Sequence, residues 1–138
     1  MRQRGRKSAA SLTVIPSTGI ESVRRPDPPA ELTEEQAEEW QAVVNRLPAD
    51  WFPRETQQLL VQYCRHVVCA RRVAQLIARA EAEDEFDIKY YARLLRMQET
   101  EGRAISSLAT RMRMTQHATV KHAQARKPSM VKKPWDED

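Results

Sequence analysis

Residues 54–82 read RETQQLLVQYCRHVVCARRVAQLIARAEA, and residues 88–112 read IKYYARLLRMQETEGRAISSLATRM. Neither stretch contains proline, and all eight prolines of the chain lie outside 54–127. Ala, Arg, Glu, Gln and Leu dominate both, and these side chains lose little freedom in a helix. The first stretch predicts a helix over residues 54–82, about 40 Å long at 1.5 Å per residue. Leu59, Tyr63, Ala70, Val73 and Ile77 form one apolar row on it, and Leu60, Cys64, Val67 and Ala74 an adjacent one. Arg65, Arg71, Arg72 and Arg79 fall mostly on the opposite face. The second stretch predicts a helix over 88–112 with Asp87 as its N-cap and a stripe of Tyr91, Leu94, Leu95, Ile105, Leu108 and Met112. Gln98, Glu101 and Gly102 interrupt that stripe. Gly102 costs about 1 kcal/mol against Ala inside a helix, so it is either a tolerated defect or a point of close backbone approach. Only the acidic turn Glu81-Ala82-Glu83-Asp84-Glu85 separates the two helices, so they should lie antiparallel.

On the N-terminal side a shorter helix is expected. Thr33 and Gln36 have capping-box spacing, and Glu34, Glu35, Glu38 and Glu39 favour the positive end of the helix dipole. Trp40, Val43, Val44 and Leu47 give its apolar stripe, and Pro48 ends it. Asp50-Trp51-Phe52-Pro53 is an aromatic connector whose rings should plug the gap between helices. Arg25-Pro26-Asp27-Pro28-Pro29 reads as a stiff extended linker. On the C-terminal side a fourth, short helix is expected over about 115–126, before Pro128 and Pro134 break the chain. The expected organisation is a flexible basic arm and linker (1–30), a helical core (31–114) and a basic C-terminal segment with an acidic tail (115–138).

The fold class is therefore all-α: an antiparallel helical hairpin with a short N-terminal helix and flexible basic arms. One short helix does not cover both wide apolar faces of such a hairpin, so the surplus predicts self-association. The interface is expected at Leu60, Cys64, Val67, Tyr91, Leu94, Leu95, Ile105 and Leu108. A monomeric three-helix bundle is the plainer alternative.

Charge is segregated along the chain. Residues 1–25 hold six Lys/Arg and one acid; 26–110 hold ten Lys/Arg and fifteen acids; 111–133 hold seven Lys/Arg and no acid. Two basic segments flanking an acidic body point to a polyanion held by the arms. The candidate DNA-binding residues are Arg2, Arg4, Arg6, Lys7, Arg24 and Arg25, with Arg111, Arg113, Lys121, Arg126, Lys127, Lys132 and Lys133. Such density neutralises phosphates and releases counterions without reading sequence. His117 and His122 add donors to the second group. The opening turns of the second helix, Arg54-Glu55-Thr56-Gln57-Gln58, offer side chains that read bases, although the connector before them is too long for a compact helix-turn-helix. Trp135 followed by Asp136, Glu137 and Asp138 has the form of a short docking motif, one aromatic anchor beside a charged end.

Other chemistry finds no carrier. Gly5, Gly19 and Gly102 are isolated and no Gly-Lys-Ser/Thr occurs, so no phosphate-cradling loop is expected. Cys64, His66 and Cys69 diverge around the helix and are read as packing residues rather than metal ligands. No apolar run approaches the roughly 18 residues that span a bilayer. We expect a non-enzymatic protein with no cofactor, no metal and no membrane association, its thiols reduced as in a cytoplasm.

The order of features resembles the terminase small subunit family of tailed phages and prophages over about residues 4–120. A basic Arg4-Gly5-Arg6-Lys7-Ser8 start leads to Pro26-Asp27-Pro28-Pro29-Ala30-Glu31-Leu32, then to a helix with Glu39-Trp40. Thr56-Gln57-Gln58-Leu59-Leu60 and Tyr63-Cys64-Arg65 follow, and last comes the run from Ile105-Ser106-Ser107-Leu108 through Arg111-Met112-Arg113-Met114-Thr115. The chain departs from the pattern at Gln116-His117-Ala118, where the family usually runs on into Pro and Arg, and at Gln57-Gln58, where an Asp often follows the Thr. The resemblance implies a ring of helical hairpins, roughly eight to ten chains, acting in the host cytoplasm. Such a ring recognises or holds viral double-stranded DNA and delivers it to the terminase large subunit, which carries the packaging ATPase and nuclease. It further implies that Trp135, Asp136, Glu137 and Asp138 contact the large subunit. Two other readings share the charge pattern: a small dimeric DNA-binding regulator of phage or prophage origin, and an adaptor that binds only protein.

Overall fold

Four helices and no strand make up residues 23–125, the part that the computed structural model describes. They are α1 (Glu34–Arg46), α2 (Arg54–Ala82), α3 (Ile88–Arg111) and α4 (Gln116–Ala125). Local chemistry sets their ends. Gln36 Oε1 accepts the Thr33 backbone N–H at 3.2 Å, one half of the capping box that opens α1. The Asp87 carboxylate accepts the backbone N–H groups of Lys89 (2.9 Å) and Tyr90 (3.1 Å) and so opens α3. Pro53 opens α2 in an extended conformation, where its missing N–H costs nothing.

α2 and α3 are antiparallel. Near their connecting turn the Tyr91 hydroxyl donates to Glu81 at 2.8 Å. Midway, His66 Nδ1 meets Glu101 Oε2 at 2.6 Å, and at the far end the Trp51 indole N–H donates to the Met112 carbonyl at 3.0 Å. α1 and the residues just before it lie along the N-terminal half of α2, with Glu31, Glu35 and Glu39 reaching Arg65 (3.1 Å), Arg72 (3.6 Å) and Arg71. Exposed pairs of this kind contribute roughly 0.2–1 kcal/mol each. Each fully buried apolar side chain beneath α1 is worth roughly 1.5–3 kcal/mol, so apolar burial rather than the ladder of charges holds α1 down.

The core has two parts. Trp40, Val44, Leu47, Phe52, Leu60, Val61, Cys64 and Met112 form one cluster, and Val73, Ile77, Ala80 and Leu94 the other. Between them along the hairpin stands a polar level of His66, Cys69 and Glu101. The break in the α3 stripe at Glu101 is therefore a real boundary between clusters. Glu101 and the surrounding burial both push the Cys69 thiol up, burial being the larger cause.

Two expectations are corrected by this packing. Most of the apolar width of α2 is used within the chain, because α1 and α3 together cover its first half and α3 its second. Leu60 and Cys64 are fully enclosed in the first cluster and Leu94 in the second, so these three have no surface to offer a second copy. Val67, Tyr91, Ile105 and Leu108 are half-buried, and Leu95 stays 40% exposed. Apart from Val23 and Val120, the large exposed apolar side chains among the described residues gather on the first half of α3 and the turn before it: Phe86, Ile88, Tyr90, Leu95 and Met97. The second correction concerns the proline-rich linker. It is strapped onto α1, with Trp40 Nε1–H donating to the Pro26 carbonyl at 3.0 Å. The body thus begins at Arg25 rather than at residue 31.

Candidate nucleic-acid interface

The cations fall into two kinds by their surroundings. Arg71 and Arg72 are ion-paired with Glu39 and Glu35 of α1, Arg65 with Glu31 just before it, and Arg103 with Glu99. Arg24 pairs with Asp27 at 2.8 Å, exposed on both sides. Arg25 is tied inward: its guanidinium donates to the carbonyls of Val44 and Leu47, each at 3.1 Å. These are carbonyls at the end of α1 that lack an intrahelical partner, so Arg25 closes that helix rather than reaching outward for phosphate. Sequence placed it with the free basic arm because nothing in the local pattern marks an arginine as the cap of a helix nearly twenty residues later.

The second kind makes no ion pair among the described residues: it includes Arg46, Arg54, Arg79, Lys89, Arg93 and Arg96 along the body, and a set of three, Arg111, Arg113 and Lys121. All three are exposed, and among the described residues none makes an ion pair or a side-chain hydrogen bond within the chain. The fold brings them to one end of the hairpin, around Trp51. The Trp51 indole is fixed by its N–H donation to Met112 and by a T-shaped contact with the His122 ring, centroids 4.7 Å apart. Two concavities open beside it. One, of about 290 Å³, is lined by Trp51, Thr56, Arg111, Arg113 and His122, with Asp50 as its acidic member. The other, of about 460 Å³, is lined by Trp51, Arg113, His117, Lys121 and His122. α4 has no close backbone contact with the other helices and meets the body through His122 on Trp51.

The turn from α3 into α4 places these groups. Arg113 takes a left-handed conformation, φ 55°, and its N–H bonds to the Thr110 carbonyl at 3.1 Å while the Met114 N–H bonds to the Ala109 carbonyl at 2.8 Å. This is the Schellman ending of a helix, with Arg where glycine is usual. It sends α4 back towards Trp51, and Met114 packs against the first cluster.

The α2 opening turns do not present free base-reading groups as a set. The Thr56 hydroxyl donates to the Pro53 carbonyl (3.0 Å) and the Gln57 amide to the Phe52 carbonyl (3.4 Å), so both serve the start of α2. Trp51 is the member whose central place the sequence reading missed. It was assigned to gap-filling, and only the spatial return of His122 shows it as the wall of a basic cleft.

At the opposite end of the hairpin, α3 away by about 36 Å at 1.5 Å per residue, lie Glu81, Glu83, Asp84, Glu85 and Asp87. The body is thus electrically polar along its length, basic at Trp51 and acidic at the α2–α3 turn. Arg2, Arg4, Arg6, Lys7, Arg126, Lys127, Lys132 and Lys133 lie outside the described residues, as do Trp135, Asp136, Glu137 and Asp138. Among the described residues no helix is long and apolar enough to cross a membrane.

In comparisons with known proteins, no family model, no curated protein and no solved structure matches the chain.

Proposed function

We propose that this chain is a non-enzymatic DNA-holding subunit of a phage genome-packaging machine, a counterpart of the terminase small subunits that its sequence resembles. The observation that carries the reading is the convergence of three unpaired cations, Arg111, Arg113 and Lys121, with His117 and His122, on the concavities beside Trp51 at one end of an otherwise acidic body. A concave basic surface with a rigid aromatic wall suits a polyanionic backbone. Arg2, Arg4, Arg6 and Lys7, with Arg126, Lys127, Lys132 and Lys133, would extend that contact along the duplex. In this reading the chain works as a homo-oligomeric ring in the host cytoplasm, and its partner is the large subunit that supplies the ATPase and nuclease.

Duplex DNA binding, followed by fluorescence anisotropy over a series of salt concentrations, tests it. Binding should weaken steeply with salt, and Arg111→Ala with Lys121→Ala together should weaken it at least tenfold. Their log–log salt slope should be shallower by about two, one unit per lost phosphate contact. Unchanged affinity and slope in that double variant would remove the cleft from the DNA contact. Protection of a short palindrome in footprinting would favour a dimeric regulator instead.

A further inference from the structure

Arg113 stands where the backbone asks for glycine. Its φ of 55° lies in the left-handed region, where the Cβ of an L-residue crowds the following carbonyl oxygen and the conformation is disfavoured. Helices that end in this way usually carry glycine at this position, and sometimes asparagine. Within the chain nothing offsets the strain: among the described residues the Arg113 side chain makes no ion pair and no hydrogen bond, and it is exposed. Strain of this sort at a non-glycine residue is a pointer to function when the side chain has somewhere to act. Arg113 has. It lines both concavities beside Trp51, with Arg111 as its companion cation in the smaller one and Lys121 in the larger. Trp51 and His122 also border both, so the two spaces are adjacent chambers divided by one arginine and one fixed aromatic pair.

We infer that Arg113 is the central phosphate-binding residue of the cleft, and that the cleft takes two successive phosphates of one nucleic-acid strand, one in each chamber. This rests on the reading of the cleft as a DNA site and adds to it a geometry and a pivot. The planar guanidinium, with five donors in a fixed fork, is suited to bridge two anions in a way a single ammonium is not. The bridging also gives a reason for an arginine at a position that a glycine would fill with less strain.

The test uses the full chain, a labelled duplex of mixed sequence and four proteins: wild type, Arg113→Gly, Arg113→Lys, and the Arg111→Ala/Lys121→Ala pair. Arg113→Gly should melt a few degrees higher, since about 1 kcal/mol is worth roughly 4–8 °C in a domain of this size. It should also bind DNA at least tenfold more weakly, with a salt slope shallower by at least about one. Arg113→Lys should melt like wild type and recover the slope but not the full affinity. Pyrophosphate should compete with DNA at lower concentration than inorganic phosphate at equal ionic strength. If Arg113→Gly binds like wild type while the Arg111/Lys121 pair binds weakly, the cleft still holds DNA and the role of Arg113 is wrong. If both bind like wild type, the reading of the cleft fails with it. A lower melting temperature for Arg113→Gly would mean that the side chain holds the fold, which overturns the strain argument. Equal competition by the two phosphates would overturn the two-chamber geometry.

Discussion

Cys64 and Cys69 are five residues apart on one helix and live in different chemical settings. Cys64 is fully buried under Trp40 and Leu60, while Cys69 is half-exposed beside Glu101. Burial, with the charge of Glu39 adding to it, pushes the Cys64 thiol up to about 12. The folded state therefore keeps that proton through a range in which the unfolded thiol, near 9, has lost it. Stability from this group is complete below pH 9 and declines as pH rises towards 12, by at most about 1.4 kcal/mol per pH unit for one proton. Urea unfolding should show an alkaline decline in stability between pH 8 and 10.5, and Cys64→Ala should flatten part of it. A thiol reagent at pH 8 should label Cys69 first and Cys64 only at the rate of unfolding, read by mass spectrometry of peptides. Equal labelling of the two in the native protein would contradict the packing of α1 over α2.

At the scale of single elements, Gly102 is the test case. It sits in the middle of α3, and a Cβ built there meets nothing within 4 Å. The close-approach reading therefore finds no neighbour among the described residues, and Gly102→Ala should raise stability by about 0.5–1 kcal/mol in chemical denaturation. A variant that is more stable yet fails to assemble would show that the backbone at Gly102 is approached by another copy. Elements were legible in the sequence because their signals are local. Proline placement, the Thr33–Gln36 box and the Asp87 cap fix the bounds of α1, α2 and α3 within a residue or two. Which face meets which partner was not local. Val61 and Val68 are buried although neither belongs to the two apolar rows, because the buried face of α2 shifts along the helix. It meets α1 and α3 together in the first half and α3 alone in the second. The same limit applies to the cleft: Arg111, Arg113 and Lys121 were readable as basic residues, whereas their closure around Trp51 depends on the left-handed turn at Arg113.

For the whole molecule, the distribution of exposed apolar surface marks where a second copy would fit. α1 and the strap cover the basic half of the hairpin. Towards the acidic turn α3 is left bare, with Ile88 at 71% and Leu95 at 40% exposure, two turns apart on one face beside the half-buried Tyr91. Assembly through this flank would leave the Trp51 cleft of every copy free for DNA at the other end, so oligomerisation and DNA contact would be separable. Leu95→Glu is the discriminating change, because Leu95 is exposed in the single chain and its replacement leaves both clusters intact. Leu94→Glu, one residue away, buries a carboxylate among Val73, Ile77 and Ala80 and should unfold the hairpin instead. Light scattering after size exclusion should give a mass of several chains for wild type and a smaller one for Leu95→Glu, with helicity by circular dichroism unchanged. The dissociated variant should keep the intrinsic affinity of the cleft for a short duplex and lose avidity for a long one, since only linked copies engage one DNA together. A Leu95→Glu protein that assembles like wild type would move the interface off this flank of α3.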